Sequence, residues 1–331
     1  MNKIICLLFC CLFLSCCGHK TVTENNTTTP LTTTETVQKT NTPEFDKDSA
    51  YTYVDRQVQF GPRVPNTEAH KACARYLANE LERFGAKIYV QEASLTAYNG
   101  TKLEASNIIG VYNPDQKKRV LLFAHWDSRP YSDRDEEKYH YTPIDGADDG
   151  ASGVGVLLEI ARQIGLKGID IGIDIAFFDA EDYGTPEFIK NYTQDTWCLG
   201  TQFWAKNPHI PGYKADFGIL LDMVGSKDAT FYKEATSIRY AAPIVEKVWS
   251  TARNLGYGKY FINKDGGGVV DDHQYVISGR NIPSIDIINL NPDTPHGFGA
   301  YWHTQNDTMD NIDRETLKAV GQTVLEVIYK Y

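Results

Sequence analysis

The chain has 331 residues, enough for roughly two average domains or one large α/β domain. Lys and Arg total 33 against 43 Asp and Glu, and the formal charge of −10 argues against a nucleic-acid partner, which needs a basic face to displace counterions from phosphate. Hydrophobic residues at 42% and charged residues at 23% exclude general disorder and leave apolar material for a sizeable core.

Met1 to Ser15 reads MNKIICLLFCCLFLS, a basic Lys3 followed by the unbroken apolar run Ile4–Leu14. Those eleven residues fall short of the about 20 that span a bilayer and suit a signal peptide. The run ends at Ser15-Cys16, which resembles a bacterial lipoprotein cleavage site. Residues 1–15 are therefore expected to be removed and Cys16 lipidated, with Cys17 as the substitute acceptor. That predicts an exported protein anchored by lipid and facing the periplasm or cell surface. Residues 16–44, dominated by Thr and Asn from Lys20 to Pro43, have almost no large apolar side chains to offset the entropy of ordering and read as a flexible tether. Five of the seven cysteines lie within Met1–Cys17, leaving Cys73 and Cys198 in the body, too few for a disulfide scaffold.

From Phe45 to Tyr331 no second linker or internal repeat interrupts the chain. Thr67 is the predicted N-cap of a helix to about Phe84, closed by Gly85. Lys87–Ala93 and Ser106–Tyr112 read as strands, and the apolar Val120–Ala124 as a buried central strand. Ser152–Ile164 reads as a helix. Asp170–Phe178, Phe217–Met223 and Ile282–Ile288 read as strands, and Ala241–Leu255 and Asp313–Tyr329 as amphipathic helices. The alternation predicts one α/β domain over residues 45–331, with a mixed, mostly parallel central sheet flanked by helices. Ligands of such sheets bind beyond the carboxyl ends of the strands, so chemistry should follow the apolar strands.

It does. His125-Trp126-Asp127 follows one strand, Asp179-Ala180-Glu181-Asp182 another, and Asp222 a third. Gly146-Ala147-Asp148-Asp149-Gly150-Ala151-Ser152-Gly153 leads into a helix, and Asp271-Asp272-His273 and Trp302-His303-Thr304 come late. Singly, each has an ordinary explanation: a turn for Asp-Asp, a packed core residue for the histidine. Converging in one cleft, these carboxylates would repel one another unless a cation sat among them. Carboxylate and imidazole donors suit zinc, and a catalytic zinc keeps three protein ligands and one open position. There is no His-Glu-x-x-His and no Cys-x-x-Cys, which sets aside the helical zincin and zinc-finger readings.

His125-x-Asp127, the Gly-Ala-Asp-Asp-Gly-Ala-Ser-Gly run, Phe177–Asp182, Leu221-Asp222 and His303-Thr304 resemble the zinc aminopeptidase clan with a phosphorylase-like α/β fold. Within it, Asp271-Asp272-His273 before Ile282-Pro283, Phe298 and Trp302 leading into His303, and Phe60-Gly61-Pro62-Arg63 resemble the glutaminyl-peptide cyclotransferases of animal type. The resemblance implies one zinc per chain on Asp149, Asp182 and His303, with Asp182 where relatives usually carry Glu. It implies Glu181 as general acid–base, Asp222 and Asp271 as a hydrogen-bonded carboxylate chain, and Trp302 and Phe298 as walls of the glutamine pocket. Trp197 is a candidate second pocket tryptophan. The substrates implied are peptides and proteins with N-terminal Gln, the expected state is a monomer, and a cis peptide is expected at Asp149-Gly150. The competing reading on the same fold is a dinuclear zinc aminopeptidase, its second metal on His125 and Asp222 with Asp149 bridging. A binding protein with a dead enzyme fold would lack the base or a ligand, and neither is missing.

Overall fold

The computed structural model describes residues 41–190 and 195–331. The signal-peptide reading of residues 1–15, and the tether reading except for its last few residues, lie outside that range. Helix α1 (Lys47–Val58) was not foreseen from the sequence; Asp46 caps it, its carboxylate accepting the N–H groups of Asp48 and Ser49. Helix α2 (Glu68–Arg83) starts at Thr67, whose hydroxyl accepts the N–H of His70, and ends before Gly85 at φ +89°.

The strands are β1 (Lys87–Thr96), β2 (Lys102–Tyr112), β3 (Arg119–His125), β4 (Gly172–Phe178), β5 (Phe217–Asp222) and, later, β8 (Ser284–Ile288). They form one sheet in the order β1-β2-β4-β3-β5-β8. β1, β2 and β4 pair antiparallel, whereas β4, β3, β5 and β8 run parallel, so four strand ends point the same way. The connecting helices are α3 (Ala151–Lys167), α4 (Leu199–Lys206), α5 (Ala235–Asn254), α6 (Asp272–Arg280) and α7 (Arg314–Tyr329). Two short parallel strands, β6 (Phe231–Lys233) and β7 (Phe261–Asp265), make a small separate sheet. The elements α4, α6, β6 and β7 are additional to those predicted.

β3, β4 and β5 are buried along their whole length. Their side chains alternate between two cores, as strand geometry requires. Val120, Leu122 and Ala124 face the layer of α1, α2, α3, α5 and α7, while Leu121 and Phe123 face α4 and α6. Both faces of the sheet are thus covered, as the sequence pattern predicted. Cys73 and Cys198 are buried free thiols. Among the described residues no helix is long and apolar enough to cross a membrane.

Candidate metal centre and active site

The site is assembled at the carboxyl ends of the parallel strands. His125 is the last residue of β3 and Asp222 the last of β5. After β4 the chain turns through Ala180 at φ +51°, a conformation unfavourable for any residue with a Cβ. The Asp127 carboxylate holds that turn, accepting the N–H of Glu181 at 3.1 Å and of Asp182 at 3.2 Å. Met223 at φ +47° and His303 at φ +56° are two further left-handed residues flanking the site.

Asp149 is aimed by the turn before α3. Asp307 accepts the N–H of Asp148 at 2.8 Å and of Asp149 at 3.1 Å. Gly150 then turns at φ +91°, where a Cβ would lie 2.7 Å from the Asp127 carbonyl oxygen. The expected cis bond at Asp149-Gly150 is absent, since every described peptide is trans. The positive φ of Gly150 and the two Asp307 bonds make the turn without it. Arg63, from the Phe60–Arg63 motif, is fully buried and donates to the carbonyls of Trp126, Asp145 and Gly146, which ties the two loops together.

Donor atoms of Asp149, Asp182 and His303 converge within 4.8 Å of one another. His303 Nε2 lies 3.7 Å from Asp149 Oδ2 and 3.5 Å from Asp182 Oδ1. Tetrahedral zinc at its usual bond lengths sets ligand atoms about 3.3 Å apart, so these separations suit one ion. Asp182 Oδ2 is buried with no hydrogen-bond partner, a free acceptor at the place where a metal would bind. Burial, helped by Arg129, lowers His303 to about 4, so its imidazole is neutral, the form that ligates. Burial and the neighbouring Asp149 push Asp182 well above the usual carboxylate range. A divalent cation would relieve that crowding. The residues present therefore fit zinc.

His125 behaves differently. Its Nε2 is 3.0 Å from Asp149 Oδ1 and 3.2 Å from Asp222 Oδ1, both hydrogen-bonding separations. Burial opposes its charge, yet Asp127, Asp149 and Asp222 together raise it well above its ordinary value.

Glu181 stands beside the three donors and is only 8% exposed. The Cys198 thiol donates to its Oε1 at 3.2 Å. Burial raises Glu181 well above the usual range, and Asp182, Asp271 and Asp272 act in the same direction. Asp271 caps α6, accepting the N–H of Asp272 at 2.6 Å. Burial and then Asp222 hold Asp271 well above its ordinary value. Asp271 faces the cavity, whereas Asp272 sits behind it, where burial raises it to about 6 against the pull of Thr201.

One cavity of about 370 Å³ is lined by all nine residues singled out from the sequence: Asp149, Glu181, Asp182, Asp222, Asp271, His303, Trp197, Phe298 and Trp302. Trp302 stacks on His303 with centroids 3.9 Å apart, Phe298 packs on Trp302 at 4.5 Å, and Trp197 lies parallel to His303 at 6.0 Å. The sequence reading missed the apolar wall of Met223, Val269, Ile288 and Leu290. Met223 and Ile288 were visible only as the last residues of predicted strands. Other members of the acidic clusters face elsewhere. Asp179 pairs with His70 at 2.8 Å, Asp148 accepts from Gly225 N–H and the Tyr301 hydroxyl, and His273 meets Glu234. Trp126 is core, stacked on His70 at 4.4 Å and donating to the Ser106 carbonyl.

Residues 107–328 match the model of peptidase family M28. The chain is 72% identical to a glutaminyl cyclase of Tannerella forsythia, covering 87% of this chain and all of that one, with a TM-score of 0.86. It is 73% identical to a Zn-dependent exopeptidase of Parabacteroides distasonis, covering 88% of this chain and all of that one, with a TM-score of 0.87. Over 297 residues it is 26% identical to the glutaminyl-peptide cyclotransferase of Bos taurus, spanning 81% of this chain and 78% of that protein.

Proposed function

The chain belongs to peptidase family M28, and from that premise we propose that it is a zinc-dependent glutaminyl-peptide cyclotransferase, converting the N-terminal Gln of peptides and proteins to pyroglutamate with release of ammonia. The observation that carries this reading is the donor set Asp149, Asp182 and His303 beside an enclosed carboxylate, Glu181, in an aromatic-walled cavity. Asp149, Asp182 and His303 would hold one zinc ion, which when bound supplies Lewis acidity toward the γ-carbonyl of the substrate glutamine.

The protein's own residues do the rest. Trp302, Phe298 and Trp197 enclose the glutamine side chain and exclude water. Glu181 takes a proton from the α-amine as that nitrogen bonds to the carbonyl carbon of the side-chain amide, and returns it to the amide nitrogen as the carbon–nitrogen bond breaks and ammonia leaves. A carboxyl raised by burial is poised for both transfers. Ring closure is intramolecular, so holding the folded conformer removes much of the entropic barrier. Asp271, raised by burial and then by Asp222, favours the protonated form beside the Asp222 carboxylate.

The dinuclear aminopeptidase reading needs His125, Asp149 and Asp222 to open around a second ion. Here His125 hydrogen-bonds Asp222 and lies 3.0 Å from Asp149, contacts that a second ion would have to displace. The test is purified protein with a Gln-initiated peptide: loss of one ammonia by mass supports the cyclase, and release of a free amino acid overturns it.

We propose further that the chain is exported and anchored through lipidated Cys16, acts as a monomer, and meets no nucleic acid. The apolar leader supports export and anchoring, and the −10 charge supports the lack of a nucleic-acid partner. Cys16→Ala, if the anchor reading is right, moves the protein from the membrane to the soluble fraction; unchanged partition overturns it.

A further inference from the structure

Behind the three metal donors lies an ion pair that the mechanism above does not use. Arg129 and Asp133 both stand on the loop that follows β3. Arg129 is 0% exposed, and its Nε and Nη2 donate to the two Asp133 oxygens at 2.8 and 2.6 Å. Its remaining donor group, Nη1, reaches the Asp182 carbonyl at 2.9 Å and Asp182 Oδ1 at 3.3 Å. One oxygen of Asp182 is thereby held, while the other is left without a partner. Asp133 Oδ1 in turn lies 3.3 Å from His303 Nδ1, the ring nitrogen turned away from the donor cluster, though off the hydrogen-bonding direction. Asp133 Oδ2 also accepts the Glu187 N–H at 2.9 Å. The guanidinium face packs on Trp197, its carbon 4.5 Å from the ring centroid.

We propose that the Arg129–Asp133 pair is the positioning element of the site, fixing Asp182 and His303 for the metal and Trp197 for the substrate. This rests on the zinc reading above. A histidine that ligates through one nitrogen needs an acceptor at the other, and such outer partners set ring orientation and metal affinity. Asp133 is that acceptor, since a small rotation of His303 completes the bond. Asp182 is one methylene shorter than glutamate, so its carboxylate has less reach and must be held more tightly. Arg129 does this through both the side chain and the carbonyl of the same residue. Only a planar fork can bind Asp133 with two parallel bonds and still turn a third donor to Asp182 while stacking on an indole. A lysine would carry the charge without the geometry.

The test uses the full folded protein, with folding checked by thermal midpoint. Zinc affinity is measured by competition with a chromophoric chelator, and Trp197 exposure by acrylamide quenching, with Trp197→Phe identifying its signal. Asp133→Asn is expected to weaken zinc binding by about 10- to 100-fold. Arg129→Lys should weaken it by about tenfold and make Trp197 more quenchable. In both, excess zinc should restore much of kcat, which a general loss of structure would not allow. If Arg129→Lys does not fold, Asp133→Asn alone decides. Wild-type zinc affinity and wild-type quenching in the folded variants would overturn the proposal. That result, with a wild-type chain that cyclises Gln peptides, leaves the activity reading standing. Weakened zinc binding in the variants, with a wild-type chain that does not cyclise, supports the positioning role and overturns the activity reading.

Discussion

His125 Nε2 lies 3.2 Å from Asp222 Oδ1 and 3.0 Å from Asp149 Oδ1, a direct contact that a second metal on these three residues would have to break. Elemental analysis of the purified, dialysed protein should therefore give one zinc per chain. Two zincs retained after dialysis would show that His125 yields to a second ion, and the dinuclear reading would replace this one.

Glu181→Gln keeps the shape of the side chain and removes its ability to carry a proton. Cyclisation should fall by about 10²- to 10⁴-fold, the usual worth of a positioned acid–base, with zinc content unchanged. Retained turnover would sink the assignment. Lost zinc would mean that Glu181 supports the metal rather than the proton transfer.

Trp302 stacks on a metal-site histidine and also lines the cavity. Removing such a surface forfeits about 1.5–3 kcal/mol of apolar contact, or roughly 10- to 100-fold in binding. Trp302→Ala should therefore raise KM strongly for Gln-initiated peptides. A change confined to kcat would place the indole outside the glutamine pocket.

At the far end of the sheet Arg119 donates to Asp174 at 2.8 Å, and the Tyr213 hydroxyl donates to the other oxygen at 2.6 Å. Burial raises Asp174 to about 6, with Tyr213 and Arg119 pulling the other way. The folded form thus takes up a proton more readily than the unfolded chain, so ionisation costs stability above that value and the cost fades as pH falls toward 4. Arg119→Met leaves a buried charge with one partner and should cost about 3–5 kcal/mol near neutral pH. The loss, read from urea midpoints, should be smaller at about pH 5 than at about pH 8. Equal losses at both would mean that Asp174 does not titrate in the folded protein.

The residues that could be read from the sequence were those that share a chemical type with their task. Asp149 stands in a glycine-rich turn, Asp182 just after a strand and His303 directly after an aromatic residue, places where an acid or imidazole is conspicuous, and their donor atoms meet. The sheet was legible because Val120–Ala124 and Ile175–Phe178 are continuous apolar runs. Helix α1 was not, since its buried stripe of Ala50, Tyr53, Val54 and Gln57 is narrow and mixes a small, an amphipathic and a polar side chain with one valine. Helix α6 is short and begins inside the Asp271-Asp272-His273 cluster, so its residues read as chemistry rather than as a helix. Arg129 and Asp133 lie in Asp127-Ser128-Arg129-Pro130-Tyr131-Ser132-Asp133, which looks like a solvated loop until burial is known. Trp197, downstream of Glu181-Asp182, was named only as a candidate, because nothing in the sequence ties it to His303; packing sets the two rings parallel.

Both thiols of the folded body are shut away from solvent, Cys73 between helix α2 and the sheet and Cys198 against Glu181. Alkylating reagents can reach them only when the surrounding structure opens. The two cysteines thus act as built-in clocks at different depths, one timing the breathing of the scaffold and the other the loosening of the catalytic floor. Comparing their labelling rates would reveal whether the enzyme comes apart at its working end first.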